Sequence, residues 1–174
     1  MAKKIPTKSY SRIKVHVDLP NLIEVQLDAF VRLKAEGKIQ HIGLSNVTVE
    51  QIQLALSITD IISVQNRCNL FERTSFKNGV VKFCEENDIT FIAHSPVGGH
   101  FQHAQHTDNR LLKKLAEKYD ASTYQIMIAW LLHRSSSLVV IPGASKTSSI
   151  TDSLRAINVE ISKEDMQILE QNIE

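Results

Sequence analysis

From Arg12 onward the hydrophobic and polar positions repeat one unit: a short β-rich run, a turn, then an amphipathic helix. Over Leu22–Glu36, Ile23, Leu27, Phe30, Val31 and Leu33 recur near the 3.6-residue period, and Gly37 stands where a glycine ends a helix. Ile39–Leu44 reads as a strand. Val49–Leu56 reads as a helix capped by Thr48 with Glu50 in its first turn, and the β-branched run Ile61–Val64 as a strand covered on both faces. The alternation continues with a helix over Ser75–Asn87, a strand over Thr90–Ala93 and an aperiodic loop over Gly98–Asn109. Helices then follow over Leu111–Lys118 and Thr123–His133, the second capped by Ser122. Leu138–Ile141 is a strand ended by Pro142-Gly143, and a helix runs from Ser148 to Ala156. Ser162-x-x-Asp165 resembles a capping arrangement for a last helix, Lys163–Gln171.

Strands beginning near residues 12, 39, 61, 90 and 138, each followed by a helix, predict an α/β fold of parallel strands with right-handed crossovers. An open doubly wound sheet and part of a (β/α)8 barrel both fit this pattern. No Gly-x-Gly-x-x-Gly follows a strand, which weakens the dinucleotide-binding doubly wound option, and there is no P-loop. At 174 residues, 43% hydrophobic and 22% charged, the chain suits one globular domain over 12–174, preceded by a basic lead over 1–11. Twenty Lys and Arg against 19 Asp and Glu argue against a dedicated nucleic-acid binder. No apolar run approaches the ~18 residues of a membrane span. The basic start lacks the apolar stretch of a secretory signal. Cys68 and Cys84 have no metal-type spacing and read as buried, reduced thiols, so a cytoplasmic location is expected.

Four segments at strand ends carry a resemblance. Gly37-Lys38-Ile39-Gln40-His41-Ile42-Gly43-Leu44-Ser45-Asn46 closely resembles the aldo-keto reductase signature around the fifth barrel strand. Val64-Gln65-Asn66-Arg67-Cys68-Asn69 is similar to that family's sixth-strand motif, and Phe91-Ile92-Ala93-His94-Ser95-Pro96-Val97-Gly98-Gly99 to its seventh. Ile141-Pro142-Gly143-Ala144-Ser145-Lys146 resembles the eighth, with its cofactor-gripping loop. The resemblance covers nearly all of 12–174 and implies a partial (β/α) barrel of five strands, from strand four to strand eight, with outer helices. A complete barrel takes about 250 residues. The three strand–helix units that in the family carry the catalytic aspartate, tyrosine and lysine have no counterpart here, and neither Tyr10, Tyr119 nor Tyr124 matches that tyrosine. The family's histidine at the end of strand four corresponds to His16 if one residue is deleted near Leu19-Pro20; without a gap Val15 takes its place.

The resemblance further implies NADP(H) as cofactor, extended across the C-terminal mouth of the barrel. Ser45, Asn46 and Gln65 would supply paired donors and acceptors to the nicotinamide carboxamide. His94 occupies the place of the family's stacking aromatic and offers less area. Ser95, Pro96, Val97 and Gly98 continue that loop. Gly143, Ala144, Ser145, Lys146, Ser149, Asp152 and Ser153 match the adenosine-phosphate end. There a helix start makes an anion site and Lys146 adds a charge suited to the 2′-phosphate. Ser149 and Ser153 stand where relatives often carry an arginine and an asparagine, and Asp152 matches the acidic residue that contacts adenine. Read without the resemblance, Ser45, Asn46 and Gln65 are turn and strand-end hydrogen-bonding residues, and Ser145–Ser149 is a capped helix start.

His100, His103 and His106 would suit zinc only if their segment were helical; a solvated loop is expected there, and no metal site. In the family this loop lies over the cofactor, which would bring these histidines to its phosphates. The implied activity is NADP(H)-dependent reduction of small aldehydes or ketones. The competing expectations are an inactive nucleotide-binding or interaction module and an inert half-barrel. Neither nucleic acid nor membrane is an expected partner. Self-association is, because five barrel strands leave open edges at Arg12–His16 and Leu138–Ile141.

Overall fold

The structure, a computed structural model, describes residues 13–16 and 23–173, with backbone only at 13–16, His100 and Phe101. The basic lead 1–11, Tyr10, Arg12 and Leu22 lie outside the described residues. Five strands form one sheet: β1 (Ile13–His16), β2 (Ile42–Ser45), β3 (Ile61–Arg67), β4 (Thr90–His94) and β5 (Leu138–Ile141). Their order is β1-β2-β3-β4-β5 and every pairing is parallel, as the strand–helix alternation requires. The doubly wound alternative is thereby ruled out. Parallel register brings the C-terminal strand ends together: His16 is opposite Ser45, Ser45 opposite Gln65, Arg67 opposite His94, and His94 opposite Ile141. Gly43 lets β2 and β3 approach closely, since a Cβ there would lie 2.4 Å from Ser63 Oγ.

The helices are α1 (Ile23–Ala35), α2 (Val49–Leu56), α3 (Thr74–Lys77), α4 (Val80–Glu86), α5 (Gly99–Thr107), α6 (Arg110–Lys118), α7 (Thr123–Leu132), α8 (Thr147–Arg155) and α9 (Lys163–Asn172). Their starts follow side-chain caps. Thr48 and Gln51 form a reciprocal capping box, and Ser122 and Ser162 accept from the amides of Gln125 and Asp165. Leu27, Ile42, Leu44, Ile52, Val64, Phe91, Ile126, Met127 and Trp130 join one core. Helix α7 is buried from Gln125 to Leu131, which explains why it is apolar on all sides. Cys68 and Cys84 are buried free thiols, each pushed up to about 12 chiefly by burial.

Several boundaries differ from the sequence reading. Extended pairing of β2 begins at Ile42, because Ile39 makes only an isolated bridge. The helix expected over Ser75–Asn87 is two, α3 and α4, parted at Gly79, whose φ of +82° no helix can carry. The helix expected to end at Ala156 closes at Arg155 and tightens into a 3-10 turn over Ala156–Asn158. The largest correction concerns Gly98–Asn109, expected as a loop: Gly99–Thr107 is a helix, α5. It lacks apolar periodicity because its buried anchor is an imidazole, His106, stacked on Phe71 with ring centroids 3.9 Å apart.

Candidate functional site

At the C-terminal ends of the strands two cavities adjoin, sharing Val97, Gly99 and Gly143 in their walls. The smaller, about 380 Å³, is lined by Ser45, Asn46, Gln65, His94, Ser95, Pro96 and Ile141 besides the shared residues. The larger, about 740 Å³, lies against the start of α8 and is lined by Pro142, Ala144, Ser145, Ser148, Ser149, Asp152 and Ser153, faced by His103 and Tyr124.

Side chains buried beneath the smaller cavity hold its loops. Asn66 donates to the Val47 carbonyl (2.8 Å) and accepts from the Val47 amide (3.0 Å), which fixes the turn carrying Ser45 and Asn46. Asn69 accepts from the amides of Phe71 and Glu72 and donates to the Ser95 carbonyl at 3.1 Å. Asn46 and Ser95 both hold left-handed backbone, φ +56° and +54°, uncommon for residues other than glycine. Strain of this kind gathers at functional sites, and here both residues bond the same ring. His94 Nε2 is 3.4 Å from Asn46 Oδ1, and Nδ1 is 3.1 Å from Ser95 Oγ. An amide oxygen only accepts, so Nε2–H donates to Asn46, and in the neutral ring Nδ1 accepts from the Ser95 hydroxyl. One polar atom in this wall is left over. Among the described residues, Gln65 Oε1 is buried with no hydrogen-bond partner.

In the larger cavity, Asp152 accepts from Ser122 Oγ (2.8 Å) and from Gln125 Nε2 (2.7 Å), which ties α8 to α7. The His103 ring nitrogen Nδ1 and the Tyr124 hydroxyl are 2.9 Å apart and form the opposite wall. Lys146 precedes α8 with an exposed side chain and lines neither cavity. Gly98 lines neither. It sits at φ +97°, where a Cβ would lie 2.4 Å from His106 Nδ1, and so gives that ring room to seat α5. Burial, and then the Arg67 guanidinium, hold the His106 pKa below the ordinary imidazole range. Arg67 also bonds the Gly98 carbonyl at 3.4 Å and the Gln102 side chain.

Of the expected site residues, Ser45, Asn46, Gln65 and His94–Val97 meet around one cavity. Gly143, Ala144, Ser145, Ser149, Asp152 and Ser153 meet around the other. His16 is placed by its backbone alone, at the end of β1 beside Ser45. The family resemblance brought His103 toward the cofactor, but sequence reasoning missed its pairing with Tyr124, because the pair forms only once α5 is helical; it also missed Asn66 and Asn69 as loop anchors. The His100 side chain lies outside the described ones, and with it the expectation about His100, His103 and His106 together; among the described residues no group of three or more His, Cys, Asp or Glu could hold a metal ion. None of the described helices is long and apolar enough to cross a membrane.

A family profile described as the aldo/keto reductase family matches residues 5–174. An uncharacterized oxidoreductase of Schizosaccharomyces pombe is 34% identical over 139 residues, 80% of this chain and 44% of that protein. A thermostable aldo-keto reductase crystallised with the inhibitor epalrestat is 28% identical and superposes with a TM-score of 0.82, over 94% of this chain and 60% of its own. An aldo-keto reductase from Klebsiella pneumoniae solved with NADPH shares the fold, with a TM-score of 0.84 at 18% identity over 94% of this chain and 58% of its own. The chain spans about half the length of the curated relatives it matches.

Proposed function

The chain belongs to the aldo/keto reductase family, and from that premise we propose that its two joined cavities bind NADP(H) as the cofactor side of an oxidoreductase site acting on small carbonyl compounds. The observation that carries this reading is the unpartnered oxygen Gln65 Oε1. A buried acceptor left unpaired costs about 1–3 kcal/mol, and a carboxamide N–H offered by a bound nicotinamide would recover it. Ser45 and Asn46 stand in the same wall to meet the carboxamide oxygen and fix the ring's orientation. The larger cavity suits the other end of the cofactor. Backbone amides and serine hydroxyls at the start of α8 attract phosphate, with Lys146 close by in sequence to favour the 2′-phosphate.

When bound, NADPH supplies a hydride to a carbonyl carbon. This chain's own part is to bind the nucleotide, orient the ring and keep water from one face of it. His16, at the end of β1, is the residue we assign to the catalytic side. The second reading is a nucleotide-binding or interaction module without turnover, favoured by a rim whose placed side chains, Ser45, Asn46, Gln65 and His94, offer hydrogen bonds to a nucleotide. We also propose self-association. The sheet edge at β5 leaves Val139 and Ile141 exposed on one face, and Ile150, Leu154 and Ile157, which share a cavity wall with Val140, are exposed apolar side chains as well.

Fluorescence titration tests the cofactor reading. NADPH should bind saturably and more tightly than NADH, and Lys146→Ala should erode that preference about tenfold. Absence of saturable binding, or equal affinities for the two nucleotides, would overturn it. NADPH oxidation on adding an aldehyde separates the first reading from the second.

A further inference from the structure

His94, in the wall of the smaller cavity with Gln65, has a hydrogen-bond partner at each ring nitrogen. His94 is flanked by one partner that only accepts, Asn46 Oδ1, and one that either donates or accepts, Ser95 Oγ. In the neutral ring Nε2–H donates to Asn46 and Nδ1 accepts from the serine hydroxyl. On protonation the hydroxyl turns about its C–O bond and accepts from Nδ1–H instead. Both charge states therefore keep these two bonds. The left-handed backbones of Asn46 and Ser95 hold those partners where both states are served. A phenylalanine or tyrosine ring at this position would have no such second state.

We propose that His94 makes the cofactor site discriminate between oxidised and reduced nicotinamide according to pH: as imidazolium it opposes the cationic ring of NADP+ while leaving neutral-ring NADPH in place. The inference rests on the nucleotide reading above, and adds to it a residue that sets which redox form the site prefers. Its geometric basis is the shared wall. Gln65, with its unpartnered oxygen, and His94 line one cavity of about 380 Å³, so a nicotinamide ring whose carboxamide reaches Gln65 has the imidazole in its own compartment. Two positive charges so placed repel, and linkage requires that NADP+ affinity fall as the histidine gains its proton. The reduced ring carries no charge and pays no such penalty.

The neighbouring elements set the background. Strand β3 brings Arg67, in register with His94, its guanidinium turned to the Gly98 carbonyl and the Gln102 side chain. Helix α5 brings His103, bonded to Tyr124, and His106, stacked on Phe71. Strand β1 brings His16, placed by its backbone. Among the described residues, strand β5 and the turn after β2 contribute Ile141 and the uncharged Asn46. Arg67 stays cationic throughout, so it offsets affinity at every pH without adding a titration.

The test is the ratio of Kd for NADP+ to Kd for NADPH from pH 8.5 to 5.5, read by NADPH fluorescence and its displacement by NADP+. The 2′-phosphate titrates near pH 6 in both nucleotides, and its effect cancels in the ratio. The ratio should rise about tenfold on acidification in the native chain and stay within about twofold in His94→Phe and His94→Gln, each checked by circular dichroism. His41→Asn, at an exposed residue that lines neither cavity, should keep the rise. A flat ratio in the native chain overturns the inference while saturable binding leaves the nucleotide reading standing. A rise that persists in both His94 variants assigns the effect to another group and overturns it as well. Failure of either nucleotide to bind at any pH removes the nucleotide reading, and the inference with it.

Discussion

Replacing Gly98 by alanine tests how α5 is seated over the site. Gly98 has φ +97°, a conformation that costs a residue with a Cβ about 1–2 kcal/mol. The new methyl would lie 2.4 Å from His106 Nδ1 and 2.7 Å from Cε1, about an ångström inside ordinary contact. The ring cannot retreat freely, since Phe71 stacks against it at 3.9 Å. Forcing one methyl into a packed position costs typically 1–3 kcal/mol. The two terms together give a loss of about 3 kcal/mol, or roughly 6–12 °C in Tm for a chain of this size. Urea unfolding followed through Trp130, the single tryptophan and fully buried, measures it. His106→Ala in the same background should return the steric part and leave the backbone part, so a double-mutant cycle should show a coupling of about 1–3 kcal/mol. NADPH affinity should fall too, because Val97 and Gly99, beside Gly98, line both cavities. A loss below about 0.5 kcal/mol, or no coupling to His106, would refute this account of the loop.

Gln65→Leu should raise the stability of the cofactor-free protein by about 0.5–1 kcal/mol, because it removes an unpaired buried oxygen, yet weaken NADPH binding about tenfold. Equal losses in both would count against the carboxamide assignment. Asp165 is buried and bonds Lys118 at 2.6 Å, Tyr119 and Ser162; Lys118 above all, then Tyr119, hold its carboxyl below the ordinary range. A lowered folded pKa means stability that is full above the ordinary carboxylate range and lost as pH falls through the folded value. The native chain's advantage over Asp165→Asn should therefore be greatest near neutral pH and shrink below about pH 4. A gap that is constant from pH 6 to pH 3 would show that the charge is immaterial. Sedimentation equilibrium at micromolar concentration should give species heavier than 19.6 kDa, and Val139→Lys, on the exposed face of β5, should shift them toward monomer. A single 19.6 kDa species from the native chain would dismiss self-association.

The elements legible in advance share one property: their cause lies within a few residues. Thr48, Ser122 and Ser162 cap helices through bonds to amides three residues on, and the β-branched runs at Ile61–Val64 and Leu138–Ile141 extend wherever two faces or an edge receive them. Parallel pairing followed as well, because strands separated by helices return in parallel, whereas the order β1-β2-β3-β4-β5 rested on the four strand-end motifs, since a doubly wound sheet is parallel too. The strand-end motifs named the residues of both cavities for the same reason, since parallel strands in sequence order deliver their C-terminal ends to one rim. Contacts between residues far apart in the chain were beyond that reach. Helix α5 is anchored by His106 on Phe71, 35 positions away, a stacking that no hydrophobic period announces. Tyr124 meets His103 only after that helix forms, and the unpartnered state of Gln65 Oε1 depends on everything that failed to reach it. Periodicity reports which side of an element seeks the core. Which side chain meets it there, and which polar atom is left unpaired, is decided only by the packing of the whole sheet against its helices.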